Sequence, residues 1–363
     1  MVSFDIESFL KGCIEKRASD IHLKVDEYAR LRISGEIYTF NVGKLSYEEM
    51  EELILKILPP SLKKYLADME EIDFPYKIPG VARFRVNLYK QMGIYGLSFR
   101  SVPLEIKSIA ELNLPRMVQQ FSDFVTGLVL ITGATGTGKS TTLASLIETI
   151  NKTKQKHIIT IEDPIEFVYT PKKSMITQRQ VNLDTQSYAS GIRAALRQDP
   201  DIIMVGEIRD KETLEAALSA AETGHLVFST LHTNDAHSTI NRIVNLYEPV
   251  ERPNIRSQLA SVLKAIASQR LINRIDIKNA RIPACEILMI TPTVADYMVK
   301  DNLNAIYELI KNGNKNEMIS MNKSLYLLVK ENIISKEAAC ENSNDIHELE
   351  QMLRGVYYGG EEY

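Results

Sequence analysis

The residues best suited to chemistry lie between Gly133 and Ser140, where the sequence reads GATGTGKS. This segment matches the pattern G-x-x-x-x-G-K-[ST] of a phosphate-binding loop. Its glycines let backbone N–H groups turn toward phosphate oxygens, and the following helix adds the positive end of its dipole. Lys139 can reach the terminal phosphates, and the Ser140 hydroxyl can bind Mg²⁺. The spacing therefore predicts a site for a nucleoside triphosphate with Mg²⁺.

The nucleotide-binding residues predicted from this motif form one continuous stretch. They are Gly133, Ala134, Thr135, Gly136, Thr137, Gly138, Lys139, Ser140 and Thr141. An apolar run over 128–131 precedes the stretch and has the length of a buried strand, while apolar residues at helical spacing follow it. A glycine-rich turn that precedes a helix by chance is the alternative, but it explains neither the Lys-Ser pair nor the two matching flanks.

Hydrolysis requires more than a phosphate loop, because water must be activated and developing charge must be stabilised. Glu207 follows the buried run 202–205 by one glycine, so its carboxylate should reach the phosphate side of the sheet and activate water. Gly206 stands where an aspartate is usual, so Ser140 and water would carry more of the Mg²⁺ coordination. Glu162 and Asp163 end the preceding predicted strand and could order Mg²⁺-bound or attacking water. Asp163 precedes Pro164, and an Asp-Pro pair is equally typical of the start of a turn.

Two histidines bracket the strand predicted over 226–229. His225 and His232 could each contact the γ-phosphate through a hydrogen bond, although a lone histidine is more often structural. No compact Cys/His cluster accompanies them in the sequence, which argues against zinc.

Three arginines lie on strands predicted in the first hundred residues. Alternation puts Arg83 and Arg85 on one face of their strand, and Arg100 closes the next strand. From the pattern alone, a solvated sheet face is the simpler interpretation of all three.

The periodicity predicts two domains that position these residues. Residues 1–102 have the pattern of a small α+β domain, and residues 103–115 read as an interdomain linker with little periodicity. Residues 116–363 alternate strands and helices, which predicts a mainly parallel α/β sheet with the polar residues at its strand ends. Beyond residue 235 the chain reads as mostly helical, with Arg281–Ile290 as the extended exception.

Composition narrows the class of protein. Net charge is −4, which argues against non-specific nucleic-acid binding. Cys13, Cys285 and Cys340 lie far apart and fit free thiols in a reducing compartment. The sequence contains neither an apolar segment of membrane-spanning length nor a signal sequence, so a cytoplasmic location is expected.

Four segments in order resemble the boxes of the secretion and pilus ATPases. GATGTGKST at 133–141, ITIEDPIEF at 159–167, VGEIRD at 205–210 and ETGHLVFSTLHTNDA at 222–236 are similar to the Walker A, Asp, Walker B and His boxes of this family. ASDIHLKV and GVARFRVN resemble its N-terminal domain, and QRLINR at 269–274 resembles its C-terminal part. The resemblance implies an α/β fold, with a RecA-like P-loop ATPase core and a smaller N-terminal α+β, PAS-like domain.

The resemblance also implies a mechanism and an assembly. ATP would be bound with Mg²⁺ between the two domains of each chain in a homo-hexameric ring, and His225 would join the nucleotide contacts. Asp163 and Glu207 would hold the Mg²⁺ through water. At least one of the N-terminal arginines would reach the γ-phosphate. The catalytic set would then be Lys139, Glu162, Glu166, Glu207, His232, Arg83, Arg85 and Arg100.

Within the family, the short length resembles the type IV pilus retraction motors, because extension and type II secretion relatives usually carry an extra N-terminal domain and a four-cysteine zinc element. Such motors would dock on an inner-membrane pilus platform protein, touch the membrane only through that partner and bind no nucleic acid. The retraction motors typically carry AIRNLIRE after a Thr-Pro. Here Thr291-Pro292 is followed by TVADYMVK, with Ala295 and Val299 in place of both arginines. Pilus extension, type II secretion and a slow nucleotide-gated adaptor therefore remain alternatives, and a nucleic-acid-translocating ring is a more distant one.

Overall fold

The chain divides into two compact units, Met1–Glu105 and Ile106–Tyr363, in a computed structural model. The structure describes residues 4–33, 35–64, 66, 70–102, 105–312 and 318–355. No helix in that described part of the chain is long and apolar enough to cross a membrane.

The first unit is an antiparallel sheet covered on one face by helices. Its strands run in the order β3-β2-β1-β6-β5-β4. The elements are α1 (Ile6–Glu15), β1 (Ala18–Lys24), β2 (Tyr28–Ile33), β3 (Glu36–Lys44), α2 (Tyr47–Ile57), α3 (Pro60–Lys63), β4 (Glu71–Ile78), β5 (Ala82–Gln91) and β6 (Ile94–Val102).

Local sequence explains where the helices of this unit begin. Asp5 caps α1 by accepting a hydrogen bond from the backbone N–H of Glu7, and Ser46 forms a capping box with Glu49 at the start of α2. The apolar stripes of both helices pack against the inner face of the sheet, where Phe84 and Phe99 meet edge to face. A continuous core therefore covers one sheet face and leaves the other face polar.

The outer face of this sheet carries the three predicted arginines. Alternation along β5 buries Ala82, Phe84 and Val86 and directs Arg83 and Arg85 away from the core. The antiparallel register sets Arg85 directly opposite Arg100 of β6.

The second unit is a seven-stranded sheet between two layers of helices, in the order β13-β12-β7-β11-β10-β8-β9. All neighbouring strands pair in parallel except β12 and β13. Its elements are α4 (Arg116–Gln120), a 3₁₀ turn (Phe121–Asp123), β7 (Gly127–Thr132), α5 (Lys139–Thr153), β8 (His157–Glu162), β9 (Met175–Gln180), α6 (Tyr188–Ala195), β10 (Ile202–Val205), α7 (Lys211–Glu222), β11 (Leu226–Leu231), α8 (Ala236–Val244), α9 (Arg252–Val262), β12 (Leu263–Asn273), β13 (Arg281–Met289), α10 (Pro292–Val299), α11 (Leu303–Lys311), α12 (Met321–Lys330), α13 (Lys336–Glu341) and α14 (Ile346–Leu353).

Two cores sandwich this sheet. The even-numbered residues of β7 and the odd-numbered residues of β10 face α6 to α11, while the alternate residues of both strands face α5. Burial on both faces explains why these strands read as continuous apolar runs. The C-terminal helices α12 to α14 add a smaller core against the outer ends of β12 and β13.

The sequence prediction of a mostly helical chain beyond residue 235 is wrong for β12, which is an eleven-residue strand. Its strand state depends on pairing with β7 and β13 rather than on local preference. The predicted linker 103–115 also differs from the structure. Its first two residues lie outside the described ones, and residues 106–115 belong to the second unit because Ile109 and Leu114 are buried in the core beside α5.

The buried carboxyl of Glu286 on β13 gives a testable pH dependence. It is 2% exposed and accepts a hydrogen bond from Ala236 N at 2.9 Å. Burial raises its pKa from 4.5 to about 7. The negative charge of Asp235 also raises this pKa, and the positive charge of Arg270 lowers it. The folded chain holds this proton more tightly than the unfolded chain. Protonated Glu286 therefore contributes fully to the free energy of unfolding below about pH 4.5, and this contribution is lost as pH rises through about 7.

We expect Glu286→Gln to abolish that loss. Relative to wild type, its free energy of unfolding should increase by up to about 3 kcal/mol between pH 5 and pH 8. Urea unfolding of both chains across this range measures the difference, with the exposed Glu341→Gln as control. Parallel pH curves for wild type and Glu286→Gln would contradict the assignment.

Candidate functional site

The loop after β7 has the backbone of an anion cradle. β7 is fully buried, and the chain then turns through Gly133, Gly136 and Gly138 at φ of 144°, 82° and 90°. Gly138 is the N-cap of α5, and no side chain caps this helix end. The first N–H groups of α5 therefore face the loop together with the positive end of the helix dipole, which suits a phosphate group.

Lys139 folds back onto this loop. Its side chain is almost buried, and Nζ donates hydrogen bonds to Gly133 O at 2.8 Å and Ala134 O at 3.0 Å. Burial lowers the pKa of Lys139 below its ordinary value, while the carboxylates of Glu207 and Glu166 act in the opposite direction. A polyanion in the cradle would offer this ammonium stronger acceptors than two peptide carbonyls.

Gly133 cannot carry a side chain without disturbing the loop. A Cβ there would lie 2.5 Å from Gln269 O and 2.6 Å from Thr137 Oγ1, and its φ of 144° is strained for an L side chain. We expect Gly133→Ala to lower the free energy of unfolding by more than about 1 kcal/mol and to weaken nucleotide binding. The control is Gly12→Ala in α1, where nothing lies within 4 Å and a gain of roughly 0.5–1 kcal/mol is expected. A Gly133→Ala chain as stable as wild type would refute this packing.

Glu207 lies where the sequence predicts, separated from the end of β10 by Gly206 alone. Its side chain is only 12% exposed. It forms an ion pair with Arg209, and His232 Nε2 lies 3.4 Å from its Oε2. Its carboxylate is close enough to Lys139 to act on the pKa of that ammonium, so Glu207 belongs to the same site as the phosphate loop. Glu207 is thus a shielded carboxylate held beside the cradle, with charged groups around it.

The strand order explains this convergence. β7, β11, β10 and β8 are parallel neighbours, so the loops after their carboxyl ends share one edge of the sheet. Gly206 has little room for a side chain, because a Cβ there would lie 3.0 Å from Tyr188 OH. Tyr188 therefore packs against Gly206, just after the carboxyl end of β10.

The acidic residues after β8 have two different environments. Glu162 is buried, and its Oε1 accepts from Thr160 Oγ1 at 2.7 Å while Oε2 accepts from Glu166 N at 3.3 Å. Burial raises the pKa of Glu162 to about 7, with these hydrogen bonds acting against it. Asp163 and Glu166 are exposed. The structure thus holds Glu162 inside the strand-to-loop turn and leaves Asp163 and Glu166 open to solvent.

His225 is not at this edge of the sheet, which corrects its assignment as a nucleotide contact. It precedes β11, and its carbonyl accepts from Gly127 N at the start of β7. Its Nδ1 lies 2.9 Å from Ala220 O, at the end of α7. The length of a six-residue strand, about 20 Å, separates this end of the sheet from the phosphate loop. His232 follows the same strand and does lie at the correct end.

The predicted arginines belong to the first unit. Arg100 Nε donates to Asp20 Oδ1 at 2.8 Å, and Arg85 Nη2 lies 3.4 Å from Asp73 Oδ2. Arg83 shares their sheet face.

Three residues near the site were not predicted from the sequence. Arg209 contacts Glu207, Tyr188 crosses Gly206, and Gln269 of β12 packs on the phosphate loop. Arg209 lies in the VGEIRD segment, so its spacing from Glu207 was available as a signal. No local pattern singles out Tyr188. Gln269 begins the QRLINR segment, but only tertiary packing shows that either residue lies at the site.

Comparison with known proteins identifies the family of this chain. The family described as "Type II/IV secretion system protein" matches residues 95–351. The type IV pilus retraction ATPase PilT of Pseudomonas aeruginosa is 41% identical over 339 residues, which span 93% of this chain and 98% of that protein. The type II secretion system protein E of the same species is 44% identical over 301 residues, which span 77% of this chain and 55% of that longer protein.

A solved structure is similar along the whole fold. The crystal structure of the pilus retraction motor PilT with bound ADP has a TM-score of 0.90, with 42% sequence identity over 96% of this chain and 100% of that chain. The fold and the phosphate loop define a P-loop ATPase. The chain belongs to the type II/IV secretion system protein family.

Proposed function

We propose that this chain is a Mg²⁺-dependent ATPase motor that powers retraction of a type IV pilus. The observation that carries the proposal is the similarity to PilT along nearly the full length of both chains, in sequence and in fold. The chain would work as a homo-hexamer in the cytoplasm, docked on an inner-membrane platform protein of the pilus machine. Twitching motility would follow from its cycle of ATP hydrolysis.

The geometry of the phosphate loop fits a nucleoside triphosphate. Three glycines at positive φ and an uncapped helix end give inward N–H groups, and Lys139 adds a positive charge within the loop. Ser140 lies in the first turn of α5, where its hydroxyl would bind Mg²⁺. Asp163 and Glu207 would hold the ion through water, so water molecules and the triphosphate would supply the remaining direct oxygen ligands.

Glu207 would activate the attacking water. Its carboxylate is shielded from bulk solvent beside Lys139, and Oε2 has no hydrogen-bond donor among the described residues. An acceptor oxygen facing the γ-phosphate could orient water and take its proton as the bond to phosphorus forms. His232, 3.4 Å from the same oxygen, would respond to the γ-phosphate.

The arginines of the first unit would supply further positive charge. Like charges directly opposite each other on neighbouring strands are destabilising, as in the Arg85 and Arg100 pair. Asp20 and Asp73 offset part of this repulsion, and a bound polyphosphate would offset more. Contacts that exist only before γ-phosphate cleavage would then favour one domain arrangement, so that hydrolysis drives domain rotation.

Extension or type II secretion is the second candidate, and one observation favours it. The segment that differs from the retraction motors forms α10, in which Val294 and Met298 are buried and Val299 is exposed. The helix is therefore kept, but its surface lacks the two arginines expected of a retraction motor.

Pilus counting separates the two candidates. In a strain that lacks this gene, a retraction motor predicts excess surface pili, and complementation with the chain should restore the normal number. Complementation with Glu207→Gln should not. Loss of pili on deletion would reject retraction in favour of extension, and unchanged pili would reject both.

A further inference from the structure

Gln269 on β12 packs directly on the phosphate loop. The parallel register pairs Ser268 with Thr132, which brings Gln269 level with Gly133. Its carbonyl oxygen is the atom that a Cβ on Gly133 would approach to 2.5 Å. Its side-chain Nε2 lies 3.5 Å from Thr137 O, at the limit of a hydrogen bond. The loop thus rests on both the backbone and the side chain of Gln269.

The amide of Gln269 is buried but incompletely satisfied. The residue is 3% exposed, and Oε1 has no hydrogen-bond partner among the described residues. A buried acceptor without a donor is costly, so an apolar side chain would serve a purely structural position better. The long Nε2 contact and the unpaired oxygen leave this amide weakly bonded among the described residues.

The next residue, Arg270, reaches in the opposite direction. Alternation along β12 puts it on the other sheet face, where its guanidinium donates to Asn342 O and Asn344 Oδ1. Asn342 caps the end of α13, and Asn344 lies just before α14. Two consecutive residues of one strand therefore contact the phosphate loop and the turn between the last two helices.

We propose that Gln269 and Arg270 couple the nucleotide state of the phosphate loop to the Asn342–Asn344 turn, with Gln269 as a positioning residue for the loop. Phosphates that draw Lys139 and the loop N–H groups toward them change the position of Thr137 O, and with it the bond to Gln269. The resulting shift of β12 acts on the contacts of Arg270. This inference rests on the proposed function, because it requires a triphosphate in the loop.

Hydrogen exchange on the purified full-length oligomer tests the coupling. The probe is a non-hydrolysable ATP analogue with Mg²⁺, read at the amides of 134–140 and 342–345. In wild type the analogue should slow exchange at the loop and change it severalfold at the turn. In Gln269→Met, which keeps the volume and removes the amide, the loop should still be protected while the response of the turn is lost. ATPase kcat should fall by about tenfold with a smaller change in KM.

Two further variants separate coupling from simple damage. Ser268 lies on β12 next to Gln269. Ser268→Ala removes its buried hydrogen bond to Thr132 of β7 and should keep the response of the turn. Arg270→Lys keeps the charge, loses the two-point contact and should abolish the response without weakening protection of the loop. If Gln269→Met does not fold, Gln269→Asn replaces it, because the shorter amide cannot keep the same contact.

The outcomes distinguish two failures. A wild-type loop that the analogue does not protect would overturn the proposed function itself. A protected loop with an unresponsive turn in wild type, a full response in the Gln269 variant, or an equal loss in Ser268→Ala would overturn the coupling alone.

Discussion

Glu207→Gln should bind ATP with near wild-type affinity and lose about 10²- to 10⁴-fold of its turnover. Gln has nearly the same shape as Glu, so the packing beside Tyr188 and the phosphate loop should persist. What it lacks is the basic oxygen that would take the proton from water. The expected signature is a low kcat with an unchanged dissociation constant for ATP, measured by steady-state hydrolysis and by titration with a fluorescent nucleotide.

A matched control exists on α7. Glu215→Gln changes an exposed carboxylate that pairs with Lys211 at 3.9 Å, and it should leave both parameters unchanged. Phosphate release by Glu207→Gln at near the wild-type rate would remove Glu207 from the mechanism. A large loss of ATP affinity would instead make Glu207 a binding residue.

Lys139→Ala should weaken ATP binding by about 10- to 100-fold, because a charge-assisted hydrogen bond to phosphate contributes about 1.5–3 kcal/mol. The ammonium is almost buried and lies within the loop, where it donates a hydrogen bond to Gly133 O. Isothermal titration with ATP and with ADP measures the effect. Loss of the contact to the terminal phosphates should weaken ATP more than ADP.

The control for Lys139→Ala lies on the same helix. Lys152, in the last turn of α5, is about half exposed and pairs with Glu148 at 3.5 Å, so Lys152→Ala should bind ATP like wild type. An ATP affinity unchanged in Lys139→Ala would contradict the assignment of the phosphate loop.

Local chemistry made the central part of the site predictable. The loop 133–140 follows from its glycine spacing, and the position of Glu207 follows from the end of the apolar run 202–205. Both features are local, so the sequence pattern predicts them. The same logic failed for His225, because a residue at either end of a strand looks alike in the sequence. Only the direction of β11 in the sheet shows that His232 lies at the loop and His225 does not.

The part that could not be predicted depends on contacts between distant residues. β12 contains Leu, Ala, Gln and Arg, which favour helices, and it is a strand because it lies between β7 and β13. Without that strand, Gln269 has no visible relation to the phosphate loop. The burial that raises the pKa of Glu286 is likewise a property of the packed sheet and has no local signal.

The most direct test of the account is a structure of the oligomer with a non-hydrolysable ATP analogue and Mg²⁺. We expect the β- and γ-phosphates within hydrogen-bonding distance of the backbone N–H groups of 136–140 and of Lys139 Nζ. We also expect a carboxylate oxygen of Glu207 to bond a water in line with the γ-phosphate. An analogue bound elsewhere, or a Glu207 side chain turned away from the γ-phosphate toward bulk solvent, would contradict it.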